Sequence, residues 1–322
     1  MNSINPLKVI FPFYHSVSDN ELRHLKHLYN VKCQKAFRKD IDFFLKYYKP
    51  LEVDDIVNAI ENDKPIKNGF LLTFDDGFRE IYDIVVPILK EKGVPAVFFL
   101  NTAFIDNKEL FFRCKASLLI DSVQSMTFNE IQQKKICATV GKDVFSKELL
   151  IKHIKSVGYN SKSILDDLAK IFDYNFEAYL ANERPYLTEE QIRSIIHDGF
   201  LVGSHSVDHP RFDQLELVDQ MKQVNNSLNY LNEKFQLKYK LFSFPFTDEG
   251  ISTSFFRTIY NDQNRITDLS FGTAGIKSDT ITRNIQRIPM EKFPYSAWVK
   301  LLFQYFYWAI KIPFGKNEIK RH

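Results

Sequence analysis

Short apolar runs alternate with longer amphipathic stretches along much of the chain. Residues 9–14, 69–74 and 95–100 are apolar runs of strand length. Residues 78–92 carry apolar side chains at helical spacing and end at Gly93, a residue typical of helix C-caps. Strand, helix and strand in this order predict a parallel βαβ unit. Ligands of such folds gather at the carboxyl ends of the strands.

The same alternation returns in the second half of the chain. Thr188 and Gln191 have the spacing of a capping box, and they begin a predicted helix that ends near Gly199. Further strands are predicted at 200–203, 241–246 and 269–273, and further helices at 36–48, 54–60 and 214–235. Residues 104–186 are rich in Lys, Glu, Ile and Leu, and we interpret them as a helical insertion that covers the site or shapes a substrate groove.

The last apolar segment, residues 298–312, is apolar almost all round its helical pattern, and a basic stretch at 316–321 follows it. It is shorter than the roughly 18 apolar residues that indicate a membrane span. Three interpretations of this C-terminal helix and tail, residues 297–322, remain open. They are docking on the rest of the fold, self-association, and binding along a membrane surface with the basic end toward anionic lipid. The first two are favoured.

Composition narrows the classes of function. With 322 residues the chain can form two average domains or one large α/β barrel. A net charge of +3 is too small to indicate nucleic-acid binding, and the 30 Phe and 15 Tyr predict a large aromatic core. Three cysteines without Cys-x-x-Cys spacing argue against a disulfide framework and a thiolate metal site. The N-terminus lacks a secretion signal, which predicts a cytoplasmic protein, peripheral to the inner membrane face if its C-terminal segment binds lipid.

Two polar motifs stand at the ends of predicted strands. The first, Thr-Phe-Asp-Asp-Gly at 73–77, supplies two adjacent carboxylates. The second, Gly-Ser-His-Ser-Val-Asp-His-Pro at 203–210, places His205 and His209 four residues apart. Two imidazoles and a carboxylate form a ligand set for a divalent metal that keeps a position open for water. Such sets are typical of hydrolytic rather than structural metal sites.

These two motifs, in this order, resemble the polysaccharide deacetylase family, also called the NodB-homology or carbohydrate esterase 4 family. The likeness extends over about residues 8–250. It implies a distorted, TIM-like (β/α)7 barrel that forms one domain of residues 1–322. It also implies that Asp76, His205 and His209 bind a divalent metal. Zinc is the expected metal, with cobalt, nickel or iron as alternatives.

Other roles follow from the same resemblance. Asp75 is expected to be the catalytic base, which takes a proton from water while its neighbour holds the metal. In the family's third motif, here Phe-Ser-Phe-Pro-Phe at 242–246, a backbone N–H beside Pro245 helps to stabilise the oxyanion, which assigns Phe246. The arginine usual in that motif is missing. Arg287 either replaces it as the residue that holds Asp75 or is a surface arginine on a late strand.

The general acid is harder to assign. Many family members carry it in a late Leu-x-His segment, but here only His322 follows His209. His15 follows the first apolar run, in Phe-Tyr-His-Ser, and so resembles the circularly permuted poly-N-acetylglucosamine deacetylases, in which an N-terminal Tyr-His histidine is the proposed acid. We therefore expect His15 to protonate the leaving amine. His24 and His27 lie in a charged stretch and are expected to be solvated.

These features predict a metal-dependent hydrolase that removes N-acetyl groups from an amino sugar in a polysaccharide, an oligosaccharide or a glycan precursor. The expected partner is the N-acetylated carbohydrate. One alternative is a catalytically degenerate member that binds glycan, because the third motif has lost its arginine. Another is an O-deacetylase or a non-sugar amide hydrolase with the same metal site. The predicted cytoplasmic location favours a lipid-linked or nucleotide-linked precursor as substrate.

Overall fold

The computed structural model describes residues 4–291 and 294–321. The strands are β1 (Val9–Ile10), β2 (Pro12–Tyr14), β3 (Gly69–Phe70), β4 (Leu72–Phe74), β5 (Ala96–Leu100), β6 (Leu201–Ser204), β7 (Leu241–Ser243), β8 (Leu269–Gly272), β9 (Ser278–Asp279), β10 (Asn284–Gln286), β11 (Ile288–Pro289) and β12 (Glu318–Ile319). The α-helices are α1 (Gln34–Tyr47), α2 (Val53–Glu61), α3 (Val86–Lys92), α4 (Phe112–Ser125), α5 (Glu130–Val140), α6 (Lys147–Ser156), α7 (Ser163–Phe172), α8 (Phe176–Glu183), α9 (Glu189–His197), α10 (Leu217–Phe235), α11 (Thr253–Ile259) and α12 (Ala297–Lys311). Thr188 and Gln191 form the predicted capping box at the start of α9.

A parallel sheet closes on itself to form a barrel. Its order is β10-β8-β7-β6-β5-β4-β2-β11, and the edge strands β10 and β11 are separated in the chain only by Arg287. β10 pairs with β8 through Ile285 and Phe271, and β11 pairs with β2 through Ile288 and Pro12. One continuous segment therefore joins both edges of the sheet. The barrel has seven strand positions, and the predicted distorted (β/α)7 barrel is confirmed.

Phenylalanine fills both faces of this sheet. Phe98 and Phe99 in β5 point to opposite faces because successive side chains of a strand alternate. Phe98 contacts Phe74 and Phe200, with ring centroids 5.3 and 5.6 Å apart. Phe99 instead contacts Phe271 at 5.1 Å. A parallel sheet covered on both faces needs apolar residues on both, which accounts for the high Phe content as core.

The helix predicted at 78–92 is interrupted. Its first part is one turn of π-helix, Ile81–Val85, and only the second part is the α-helix α3. Pro87 explains the break because proline lacks the N–H that an α-helix would pair with the carbonyl of Asp83. Gly93 ends α3 with φ of 64°, as predicted.

Five helices, α4 to α8, occupy most of residues 104–186. They share a core of buried side chains, among them Leu118, Leu165 and Leu168. Phe111, immediately before α4, contacts His209 of the second motif with ring centroids 4.5 Å apart. The helices therefore cover one side of the strand ends. That residues 104–186 are an insertion into a single domain stays a prediction.

The C-terminal helix α12 packs against α1 with only part of its surface. Ala297 and Leu301 are buried, and the N–H of Ala297 donates to Asp40 of α1 at 2.8 Å. Docking on the rest of the fold thus accounts for one face of α12, and the opposite face is exposed. Among the described residues, no helix combines the length and apolar character needed to cross a membrane. His322, at the end of the predicted tail, lies outside the described residues.

Candidate active site

The two motifs meet at the carboxyl ends of the barrel strands. β4 continues directly into Asp75, whose N–H donates to the carbonyl of Tyr14 in β2 at 2.9 Å. β6 continues directly into His205, whose N–H donates to the carbonyl of Leu100 in β5 at 2.8 Å. The sheet hydrogen bonding therefore extends one residue past each strand and positions both side chains at the same edge.

Asp76, His205 and His209 form a buried cluster that fits a metal ion. One candidate ligand atom from each residue can be chosen so that all lie within 4.8 Å of one another. Asp76 Oδ1 is 3.3 Å from Nε2 of His209 and 3.6 Å from Nε2 of His205. This oxygen has no hydrogen-bond partner within the described residues. Burying a carboxylate oxygen without a donor is costly, so its place between two imidazole nitrogens suits a cation.

Neighbouring groups orient these three side chains. Nδ1 of His205 lies 2.9 Å from the carbonyl of Ser243, which leaves Nε2 free for a metal. Burial lowers the pKa of His205 to about 4, so its imidazole is neutral near pH 7, as a metal ligand must be. The hydroxyl of Tyr29 donates to Asp76 Oδ2 at 2.9 Å. The second carboxylate oxygen is therefore held while the first faces the imidazoles.

Four non-glycine residues of this site have left-handed backbone conformations. Asp76, Ser206, His209 and Phe246 all have positive φ, between 58° and 73°. Such a conformation costs a non-glycine residue on the order of 1–3 kcal/mol and persists only where surrounding contacts impose it. Strain of this kind is typical of functional sites.

Asp75 is held by a buried arginine. Nη1 and Nη2 of Arg287 donate to the two carboxylate oxygens of Asp75 at 2.7 and 2.8 Å, and Arg287 is 0% exposed. Arg287 also donates to Ser243 Oγ at 2.6 Å and to Thr73 Oγ1 at 3.0 Å. Burial raises the pKa of Asp75, but the charge and hydrogen bonds of Arg287 outweigh that effect and hold the pKa below its ordinary value. Arg287 is therefore not a surface residue, and Asp75 is ionised near pH 7.

His15 is paired with a carboxylate that sequence analysis did not identify. Nδ1 of His15 lies 2.5 Å from Oε2 of Glu291, and the backbone N–H of His15 donates to the same oxygen at 2.8 Å. Burial lowers the pKa of His15, but the charge and hydrogen bond of Glu291, aided by Asp76 and Asp75, raise it above its ordinary value. His15 thus holds its proton more firmly than a free imidazole.

The third motif lies against the metal-binding cluster. The ring of Phe246 contacts that of His209, with centroids 4.6 Å apart. Pro245 is buried, and its carbonyl accepts the N–H of Thr247 at 2.7 Å in a tight turn. The turn places the backbone of Phe246 beside the cluster.

One cavity of about 350 Å³ joins these groups. His15, Asp75, His205 and His209 line it, and so do the rings of Phe13, Tyr29, Phe111, Phe244 and Phe246. Its volume lies in the range of small-molecule sites. Charged groups in an aromatic wall suit a sugar unit, whose faces are apolar and whose edges are polar.

Two predictions about the loop after β2 need correction. His24 is only 3% exposed and its Nδ1 lies 3.0 Å from the hydroxyl of Tyr179, so the prediction that it is solvated is wrong. His27 is half-buried and lines the cavity. Sequence analysis did not identify Tyr29 as a site residue. It lies in the loop that follows a strand, and ligands of such folds bind where these loops begin. The same signal was available for Glu291, two residues beyond the end of β11.

The polysaccharide deacetylase family matches residues 62–261, which is more than half of the chain. The chain belongs to this family. The matched range contains both motifs of the metal-binding cluster, whereas His15, Arg287 and Glu291 lie outside it. As a polysaccharide deacetylase, the protein is a metal-dependent hydrolase that acts on N-acetylated carbohydrate. No curated protein matches the sequence.

Several solved structures share the fold over nearly the whole chain. The Streptococcus pyogenes deacetylase PplD, solved in complex with acetate, is 15% identical with a TM-score of 0.56, covering 92% of this chain and 97% of that one. IcaB from Ammonifex degensii is 15% identical with a TM-score of 0.52, covering 92% and 96%. A de-N-acetylase from Aggregatibacter actinomycetemcomitans is 13% identical with a TM-score of 0.54, covering 90% and 98%. At these identities the likeness shows the fold alone.

Proposed function

We propose that this polysaccharide deacetylase hydrolyses the N-acetyl group of an amino sugar, with Asp76, His205 and His209 as the metal ligands. The observation that carries the proposal is the arrangement of one cavity. The buried cluster lies beside Asp75, which an arginine holds, and the same cavity is lined by His15, which a glutamate holds. A base and an acid beside a metal-binding cluster are the groups that amide hydrolysis needs.

Zinc is the metal that this ligand set suits best. Two imidazoles and one carboxylate leave a position open, as catalytic zinc sites do. Cobalt, nickel and iron accept the same donors and remain alternatives. A bound divalent metal supplies a Lewis acid that polarises the acetyl carbonyl and lowers the pKa of water.

Asp75 is proposed as the base. Its contacts with Arg287 keep it ionised and fix both carboxylate oxygens, so it accepts the proton of the attacking water in a defined orientation. Arg287 acts as a positioning residue. Its contact with Ser243 also explains how the chain manages without an arginine in the third motif: the guanidinium comes from the closing segment of the barrel instead.

His15 is proposed as the acid. An amide nitrogen leaves poorly unless it is protonated, so the departing amine needs a proton donor. Glu291 raises the pKa of His15 and engages Nδ1, so Nε2 is the ring nitrogen that donates. Phe246, with Pro245 fixing the turn, is proposed to present its N–H to the oxyanion.

Removal of an N-acetyl rather than an O-acetyl group is supported by this proton donor, because an alkoxide leaves without help more readily than an amide nitrogen. The Aggregatibacter protein of the same fold is named a de-N-acetylase. We further propose that residues 1–322 form one domain in which 104–186 are an insertion. The cytoplasmic location and the choice between a glycan precursor and a polymer remain predictions from the sequence.

Acetate release from a panel of saccharides tests the proposal. Each N-acetylated saccharide is paired with its O-acetylated counterpart and assayed with untreated, chelator-treated and metal-restored protein. We expect release from N-acetylated members that chelation abolishes and zinc restores. Release that is insensitive to chelation would reject the metal-binding cluster as the site, and release from O-acetylated members alone would reject the N-deacetylase.

A further inference from the structure

The helix α12 exposes an apolar face that carries no charged residue. Its large side chains are 49% to 64% exposed: Trp298, Leu302, Phe303, Phe306, Tyr307 and Ile310. At about 100° per residue, Trp298 and Tyr307 mark the edges of an arc about 180° wide. Ile312 and Phe314, just after the helix, are 53% and 68% exposed and extend the same surface. Large exposed apolar patches usually mark interaction sites.

The opposite side of α12 is already anchored to the barrel. The Lys300 ammonium is buried and donates to the carbonyl of Met290, and the hydroxyls of Tyr305 and Tyr48 lie 3.1 Å apart. The helix is therefore fixed in orientation. The contacts that hold α12 on the barrel use only this side, and its apolar face takes no part in them.

Basic side chains border the C-terminal end of this face. The ammonium of Lys311 lies 3.8 Å from the centre of the Tyr307 ring, and the positive charges of Lys277 and Lys316 also act on Tyr307. Glu318 is the one acidic residue between 294 and 321. Lysines therefore border the C-terminal end of the apolar face, while Glu249 and Glu318 line a cavity beside the same end.

We propose that α12 binds along the surface of an anionic membrane, with its aromatic face in the lipid interface and its basic end on the headgroups. Aromatic and leucine side chains on one face and lysines beside them are typical of helices that lie in the plane of a membrane. The lysines complement anionic headgroups, which attract nearby basic residues.

The width of the apolar arc favours lipid over a second copy of this chain. A helix that packs on a protein partner buries a stripe of about 100° or somewhat more, so one partner helix leaves part of this arc in water. A parallel two-fold pair would also bring the two identical basic ends together. A fluid lipid interface covers the whole arc and neutralises the lysines.

Membrane binding would also place the active site near lipid. The first turn of α12 is bonded to Met290, the residue before Glu291. Glu291, which engages His15, therefore directly follows the residue that anchors the first turn of α12.

Vesicle sedimentation of the full chain tests this inference. Vesicles of phosphatidylcholine alone are compared with vesicles that contain phosphatidylglycerol. We expect binding to the anionic vesicles, and at least tenfold weaker binding for the double variant Phe303→Gln/Phe306→Gln. The matched control Ile131→Gln/Val218→Gln, at residues 67% and 66% exposed on α5 and α10, should bind like the wild type. Both double variants should deacetylate a soluble substrate at the wild-type rate, which separates this test from that of the proposed function.

Other outcomes overturn the inference. Equal binding of the Phe303/Phe306 variant and the wild type would show that α12 is not the contact. Equal binding to neutral and anionic vesicles would remove the role of the lysines. A dimer in sedimentation equilibrium that the Phe303/Phe306 variant abolishes, with no vesicle binding, would assign the face to a second copy.

Discussion

The metal-binding side and the proton-donating side of the site are assembled in different ways. Asp76, His205 and His209 come from two compact motifs, each directly after a strand. His15 and Glu291 are 276 residues apart and meet because β11 pairs with β2 and closes the barrel. The first side depends on local sequence, whereas the second depends on the whole barrel being closed.

The two sides also differ in their hydrogen bonding. On the metal-binding side, Asp76 Oδ1 lacks a partner within the described residues. On the other side, Nδ1 of His15 is engaged by Glu291. Tyr29 connects them, since it donates to Asp76 and stacks on His15 with ring centroids 3.8 Å apart. Asp76 presents an oxygen that can bind a metal, whereas His15 is held by another protein side chain. Substitutions on the two sides should therefore separate metal content from turnover.

The largest effect is expected on the metal-binding side. His209→Ala removes one of three ligands, and both metal content and turnover should fall, turnover by at least about 10³-fold. Metal analysis of the purified protein and acetate release are measured together. His197→Ala, at an exposed residue ending α9, is the control and should change neither. Full metal content in His209→Ala would contradict the ligand assignment.

Asp75→Asn separates the base from the ligands. The amide cannot accept the water proton, so turnover should fall by about 10²–10⁴-fold while metal content stays at the wild-type level. Asp83→Asn makes the same chemical change in a surface ion pair with Arg79 and should have no effect on turnover. Loss of metal in Asp75→Asn would move Asp75 into the ligand set.

His15→Ala tests the proton-donating side. Turnover of an N-acetyl substrate should fall by about 10²-fold with metal retained, because the amine then leaves unprotonated. Hydrolysis of an activated aryl acetate should fall much less, since a phenolate leaves without a proton. An equal loss on both substrates would indicate that His15 has a structural rather than an acid role.

The smallest change is expected for Glu291→Gln, and it appears in the pH profile. The acid works only while protonated, so the rate falls as pH rises through the pKa of His15. Glu291 raises that pKa, and its removal should move the alkaline limb to lower pH. At pH values above the pKa of His15, each unit by which that pKa falls lowers the rate about tenfold. An alkaline limb that stays in place would rule out the assigned role of Glu291.

The barrel and the metal-binding motifs could be predicted because their signals are local. Apolar runs of strand length alternate with helical patterns, which predicts parallel βαβ units with the two motifs at strand ends. The (β/α)7 barrel and the ligand set of Asp76, His205 and His209 came from the family resemblance that those two local motifs carry. Arg287 was recognisable only as one of two alternatives, because nothing local shows that the residue between two short strands turns into the barrel.

The rest could not be predicted because it depends on contacts between distant segments. The pairing of His15 with Glu291 requires the register between β11 and β2, in which Pro289 lies beside Phe13. His24 was expected in water because its neighbours in the chain are charged, yet Tyr179, from a helix far along the chain, covers it. Sequence neighbours do not reveal such tertiary contacts.

The central claim is that His15 and Glu291, which meet where the barrel closes, act together as the proton donor. A double-mutant comparison tests it most directly. The rate of acetate release from an N-acetylated saccharide is measured with and without Glu291→Gln, in the wild-type and in the His15→Ala background. If Glu291 acts through His15, the substitution slows the wild type and leaves His15→Ala unchanged. The same fold-loss in both backgrounds would contradict the pair and leave the acid unassigned.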